Sequence, residues 1–446
     1  MPYIPVTESQ RKEMLERIGV PSLEALFSEI PEDLRFPPLD LDRGLSELEV
    51  MAELGALAKT NAVADDYRWF LGAGAYDHFI PAAVGALASR GEFLTAYTPY
   101  QSEVSQGTLQ AIFEYQSMIA DLTGMEVVNA GHYDGATALA EGVLLALRKG
   151  GDGPGRRRVL LPEALHPEYR EVLETYLSPF EARIETYTGE PAQAAAGEPA
   201  GEDLACLVAA YPDFFGRIPS LEGAAQAVHD RGGLFIVQAD PIMLGLFRSP
   251  GSYGADIVTA EGQSLGNDLN YGGPFLGIMA VSAALMRRIP GRIVGEAQDP
   301  QGRRGFVLTL AAREQHIRRE KALSNICSNQ GLCALRACIY LALMGKQGLR
   351  KAAELCWHKS HYAAGLLSSL RGFSLGPGPF FKEFLLTLPG NAEAAAEKLR
   401  GKKIIPGLPL SRYFPEREKE LLVCVTEKNS REDIEILVQS LKELYP

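Results

Sequence analysis

Between residues 130 and 320 the chain alternates short, continuously apolar runs with amphipathic stretches, and no other feature narrows its fold so much. VLLPEAL leads into HPEYREVLETYL, and DLACLVAAYP into PSLEGAAQAVHDRGG; LFIVQAD, ADIVTAEG and FLGIMAVSAALMRRI follow. A strand that is apolar at every position is covered on both faces, and strands of that kind separated by helices build a mostly parallel sheet between helical layers. The expectation is a large α/β domain over residues 61–325. Residues 1–60 read instead as an arm of helical pieces broken by prolines, in which SELE at 46–49 has the Ser-x-x-Glu spacing of a capping box. Residues 326–446 begin with a long helical run from SNICSNQ and continue as alternating strands and helices, a smaller C-terminal α+β domain. PAQAAAGEPAGED, residues 191–203, reads as a low-complexity loop.

Bulk properties exclude several roles. A chain of 446 residues, 46% hydrophobic and 22% charged, can bury a sizeable core. A net charge of −12 counts against nucleic acid or an anionic membrane as the main partner, since both reward clustered Lys and Arg. MPYIPVTESQRKEM has no basic segment followed by an apolar run, and the patch around FLGIMAVSAALM is too short to span a bilayer, so a cytoplasmic protein is expected. Cys206, Cys327, Cys333, Cys338, Cys356 and Cys424 form no CxxC pair and fit reduced thiols. Cys327, Cys333 and Cys338 fall in an Ala/Leu-rich helical run where no His or Asp completes a zinc spacing; they read as small buried hydrophobes, and no metal site is expected.

Open α/β sheets bind ligands at the carboxyl ends of their strands. GHYDGATALAEG, residues 131–142, leads into a helix whose small first residues either present free N–H groups to a phosphate or simply allow close packing. FLGAGAYDHF follows a dinucleotide fingerprint only through Gly72 and Gly74, with Asp77 where the third glycine belongs, so a nicotinamide or flavin site is unsupported. Asp240 ends LFIVQAD, and Ser264 follows the next strand. In fold-type I pyridoxal phosphate enzymes an Asp in the first position holds the ring nitrogen and a Lys in the second forms the Schiff base. Here the Asp position is filled and the Lys position is not. No lysine lies between Lys149 and Lys321, and a serine cannot replace a primary amine that adds to a carbonyl. Two stretches remain conspicuous. TAYTPYQSEVSQG, residues 95–107, gathers Tyr97, Tyr100, Glu103 and Ser105; AAREQHIRREK, residues 311–321, gathers Arg313, His316 and Arg318, either as a solvated, salt-bridged helix face or as part of a site.

Together YTPYQSEVSQGTLQAIFEYQSMIADLTGM, YDGATALAEG, AEGQSLG to YGGPFLG, and REQHIRREKALSNICSNQ resemble the glycine decarboxylase P-protein family, and within it the first, or alpha, subunit of the two-subunit form. The resemblance covers essentially the whole chain. It implies the fold-type I pyridoxal phosphate-dependent transferase fold and an α2β2 assembly with a homologous subunit that carries the cofactor lysine. It further implies decarboxylation of glycine, with the aminomethyl group passed to the lipoyl arm of H-protein. Pyridoxal phosphate would be bound by the partner and not by this chain. By matching motif, Tyr97, Tyr100, Glu103 and Ser105 fall on a loop approaching the partner's pocket, and Arg313, His316 and Arg318 on the join between domains, where an Arg could meet an anion and a Tyr or His could move protons. Asp240 would leave a vestigial pocket open to weak, non-covalent binding of a small anion. The alternatives are a self-sufficient fold-type I enzyme, which the missing lysine opposes, and a structural or regulatory homologue.

Overall fold

The apolar runs form a seven-stranded sheet in the order Val127–Val128, Gly277–Val281, Ile257–Glu261, Leu234–Ala239, Leu204–Tyr211, Arg158–Pro162, Arg183–Tyr187. The last five of these run parallel, and Gly277–Val281 is antiparallel to both of its neighbours. This is a computed structural model, and it describes residues 5–35, 40–148, 156–197, 203–322, 324–326 and 329–446. The chain divides into two compact units, residues 1–62 and 63–446.

Side-chain alternation along the strands explains why the runs are apolar throughout. Leu207, Ala209, Phe235, Val237, Val258 and Ile278 point into one core, with Ile119, Val228 and Leu341 packed on them. Cys206, Val208, Ile236, Ile257 and Met279 point into a second core, against Leu139, Val143, Leu173 and Leu177. Each strand therefore needs an apolar residue at every position, because its period of two serves two layers. The helix Gly135–Leu147 lies within the second layer with nearly every residue buried, which its run of small residues permits.

Helix Gly331–Ser368 departs from helical geometry at Gly345. Before that break Ala334, Ala337 and Leu341 join the first core of the large sheet, and after it Ala363, Ala364 and Leu367 join a third core. By length and composition alone this helix would pass for a membrane span, but both halves are core elements. The third core lies on a four-stranded antiparallel sheet, ordered Ser374–Leu375, Glu383–Thr387, Glu420–Cys424, Leu408–Pro409. Helices Ala392–Arg400 and Arg431–Leu444 contribute to the same core. In the first unit, Ser46 and Glu49 form the capping box of helix Glu47–Ala58, as their spacing implies.

Three expectations from sequence are corrected. Residues 191–197 are a helix with Pro191 at its start rather than a loop, and 198–202 lie outside the described residues. The long helix begins at Gly331, not at Ser324. Residues 311–321 are three short helical turns rather than one helix face, Ala311–Arg313, Gln315–Arg318 and Arg319–Lys321, because Leu310 and Arg319 take φ of 53° and interrupt the backbone. Cys333 and Cys338 are buried as small hydrophobes, and Cys327 lies outside the described residues.

Candidate functional site

The carboxyl ends of the central strands hold a cluster of buried ionisable groups. Asp134 caps the helix Gly135–Leu147 by accepting from the Thr137 N–H at 2.8 Å. The Gly135 N–H, which sequence left free for a phosphate, donates to Glu261 Oε2 at 2.8 Å. Glu261 Oε1 accepts two more backbone donors, Gln263 N–H at 2.9 Å and Leu276 N–H at 3.1 Å. Burial pushes the Glu261 carboxyl up to about 8, against the pull of those three donors. Close packing is thus the reading that survives for GHYDGATALAEG. A Cβ on Gly135 would meet the Tyr169 hydroxyl and, at 3.0 Å, the Glu261 backbone nitrogen, so only glycine lets the helix start approach the strand end this closely.

Asp240 follows strand Leu234–Ala239 and is anchored by the Ile242 and Met243 N–H groups, which donate to its Oδ1 at 2.9 and 3.2 Å. Its Oδ2 lies 2.7 Å from Lys382 Nζ, and both side chains are buried. Lys382 begins the second sheet from the other side of the cluster. Its ammonium also donates to His78 Nε2 at 3.0 Å and stands 3.4 Å from the centre of the Tyr76 ring. Tyr76 Oη and Ala73 N–H both donate to Glu383, each at 2.7 Å. Ser264, at the position expected for a cofactor lysine, is buried, and its hydroxyl has no hydrogen-bond partner among the described residues.

The adjoining cavity has a volume of about 80 Å³, and Asp240, Glu261 and Glu383 are among its walls. Burial holds the Glu261 and Glu383 carboxyls above the usual carboxylate range, and Asp240 is paired with Lys382.

The conspicuous loops come together elsewhere. Tyr97 and Arg292 line a second cavity, of about 330 Å³, with Ile112, Pro274 and Leu332. The Arg292 guanidinium lies 5.5 Å from the centre of the Tyr100 ring and donates to the Tyr100 hydroxyl at 3.4 Å. His316 meets the same ring edge-on at 5.7 Å, and Glu314 approaches both Arg292 and His316, at 3.8 and 3.7 Å. Tyr97, Tyr100 and His316 are thus gathered around Arg292, a residue the sequence reading passed over. Glu103, Ser105 and Arg318 are not part of that cluster. Glu103 is exposed, Ser105 precedes helix Gln106–Thr123 without capping it, and Arg318 donates to the Ala312 carbonyl at 3.3 Å. The Arg313 guanidinium donates to the carbonyls of Leu310, Ile289 and Gly291.

Glu261 and Lys382 were also missed. Lys382 and Glu383 stand together in the otherwise apolar run FFKEFLLTLP, and two charges in a strand buried on both faces signal internal partners.

Comparison with known proteins gives a uniform result. A family model described as glycine cleavage system P-protein matches residues 1–441. The chain is 48% identical to the probable glycine dehydrogenase (decarboxylating) subunit 1 of Desulfitobacterium hafniense, covering 100% of both chains. It is 49% identical to the same-named protein of Desulforamulus reducens, covering 99% of each. A crystal structure of glycine decarboxylase (P-protein) of the glycine cleavage system, in inhibitor-bound form, superposes with a TM-score of 0.90 at 46% identity, over 100% of both chains.

Proposed function

Because the chain belongs to the glycine cleavage system P-protein family, we infer that it completes an active site whose pyridoxal phosphate is carried by a second, homologous chain. It has the fold-type I architecture of pyridoxal phosphate enzymes, takes part in glycine decarboxylation within a two-subunit P-protein, and is the catalytically incomplete subunit.

One observation supports the inference: the residues at the expected cofactor positions lack the amine and are paired with groups of this chain. The amine is missing, since Ser264 stands at its position and no lysine occurs between Lys149 and Lys321. The carboxylate that would meet a protonated ring nitrogen, Asp240, is matched by Lys382 at 2.7 Å. At the helix start that would receive a phosphate, Glu261 takes the Gly135 N–H, so this donor is not free for a phosphate. These residues do not fit the cofactor.

The exposed face offers what a supporting subunit needs. Tyr97, Tyr100 and Val104 are large, exposed side chains on one loop, a mixture of aromatic and polar groups suited to interface anchors. In this reading the loop with Tyr97, Tyr100, Glu103 and Ser105 meets the lysine-bearing subunit in an α2β2 assembly. His316 and Arg292 stand beside it, within reach of glycine or of the lipoyl arm of H-protein. Arg313 and Arg318 shape that face through the backbone. A cytoplasmic setting, with no nucleic acid or membrane partner, accords with the net charge of −12.

The test is glycine-dependent exchange of labelled carbon dioxide by the purified chain, by the purified lysine-bearing subunit, and by their mixture with lipoylated H-protein. Exchange is expected from the mixture alone. Full exchange by the lysine-bearing subunit without this chain would favour a regulatory homologue, and exchange by this chain alone would overturn the reading.

A further inference from the structure

The group that fills the cofactor's place belongs to a larger buried network that bridges the two sheets. Lys382 sits at the start of strand Glu383–Thr387 in the second sheet, and Asp240 at the end of strand Leu234–Ala239 in the first. His78 accepts from Lys382 through Nε2 and is 2.7 Å from Glu427 Oε2 through Nδ1. The partners settle the tautomer: Nε2 faces an ammonium and must accept, so Nδ1 carries the proton and donates to the carboxylate. Glu427 also accepts from the Phe79 N–H at 2.7 Å, and its backbone carbonyl accepts from Lys359, on helix Gly331–Ser368. Lys382, Asp240 and His78 are each less than a tenth exposed.

His78, Cys356 and Glu427 also offer three ligand atoms within 4.8 Å of one another. A metal ion there would have to displace the His78–Glu427 hydrogen bond, with the Lys382 ammonium 3.0 Å from the same imidazole. The hydrogen bonds account for the cluster without an ion.

We propose that Lys382 is an internal ligand, a tethered primary ammonium held by Asp240, the Tyr76 ring and His78 in a cation site whose occupation fastens the second sheet to the first. The physical case is the cost of the alternative. A buried carboxylate without its cation is strongly unfavourable, whereas a matched pair with further hydrogen bonds is tolerated. Burial alone would lower the Lys382 pKa, but Asp240 together with the neighbouring Cys424 and Cys356 outweighs it and the pKa is raised, so the side chain is an ammonium rather than a free amine. In a chain without a cofactor cation of its own, the lysine supplies the missing positive charge. The proposal rests on the reading that this chain carries no cofactor of its own, and the rescue experiment tests the lysine site without measuring cofactor binding.

The experiment is chemical rescue of the full-length chain. Lys382→Ala is expected to lower the melting temperature by roughly 5 °C or more. n-Propylammonium replaces the deleted atoms and should recover part of that loss in a saturable manner. Tetramethylammonium, which cannot donate a hydrogen bond, should not, and n-propylammonium should have no effect on Asp240→Asn/Lys382→Ala. Equal shifts from both ammonium ions, or none from either, would overturn the proposal. If Lys382→Ala fails to fold, Asp240→Asn/Lys382→Met provides the reading. Its loss should be well below the sum of the Asp240→Asn and Lys382→Met losses, and additive losses would contradict a matched pair.

Discussion

Glu261 is a carboxyl group in surroundings that disfavour its charge. Its pKa rises from 4.5 to about 8 on folding because it is buried. In the unfolded chain the proton leaves near 4.5, and in the folded chain it is held until about 8, so the unfolded state binds fewer protons between those values. Stability contributed by Glu261 is therefore lost progressively as pH rises from 4.5 to about 8. Melting curves between pH 5 and 9 should show that decline, and Glu261→Gln should flatten it; equal slopes in both chains would remove Glu261 as its source. Arg313 poses a second question at this scale. Its guanidinium serves three backbone carbonyls, so Arg313→Ala should destabilise the chain by about 1–3 kcal/mol. Turnover of the reconstituted complex, corrected for folded fraction, should be nearly unchanged. Tyr100→Ala and His316→Ala should do the reverse, lowering turnover at unchanged melting temperature, because both side chains are largely exposed. Asp240 and the absent lysine were legible in the sequence, as each is a single residue at the end of an apolar strand. Lys382 was not legible as the partner of Asp240, because the pairing depends on how a distant strand returns to the first sheet. The charged pair in FFKEFLLTLP announces only that some partner exists.

Elements were legible in proportion to how locally they are determined. The strand Leu234–Ala239 is buried at all six positions, and an unbroken apolar run bounded by turn residues conveys this directly. The capping box at Ser46 and Glu49 is likewise a matter of three-residue spacing. The helix Pro191–Gly197 was missed because its alanines show no periodicity, although Pro at a first helical position and a run of alanine are both favourable to a helix. The turns over 311–321 were misread because positive φ at Leu310 and Arg319 has no signal in residues that ordinarily avoid it. Helix Gly135–Leu147 is the element on which the filled site depends, since its first N–H meets Glu261. Gly135→Ala should force the helix away from strand Ile257–Glu261 and cost about 1–3 kcal/mol, read as a lower denaturant midpoint at unchanged slope. A midpoint equal to that of the parent chain would mean that the close approach is not required.

At the scale of the whole molecule, a sheet built to present ligands at its strand ends is retained, and the chain's own groups pair with one another there. Glu261 lies at the helix start, Lys382 faces Asp240, and Ser264 stands where the amine would be. On the function proposed above, such a chain relies on another subunit for the cofactor itself. The family and the absent lysine were legible from the four motifs and the lysine gap. The manner in which the site is filled was not, because Lys382 enters from the second sheet, and that convergence exists only in three dimensions. The most direct measurement is borohydride reduction of the reconstituted complex with pyridoxal phosphate, followed by peptide mass spectrometry of both polypeptides. The reduced phosphopyridoxyl group is expected on a lysine of the partner subunit and on no lysine of this chain, Lys382 included. Stoichiometric labelling of this chain at any lysine would contradict the claim that it holds no cofactor of its own.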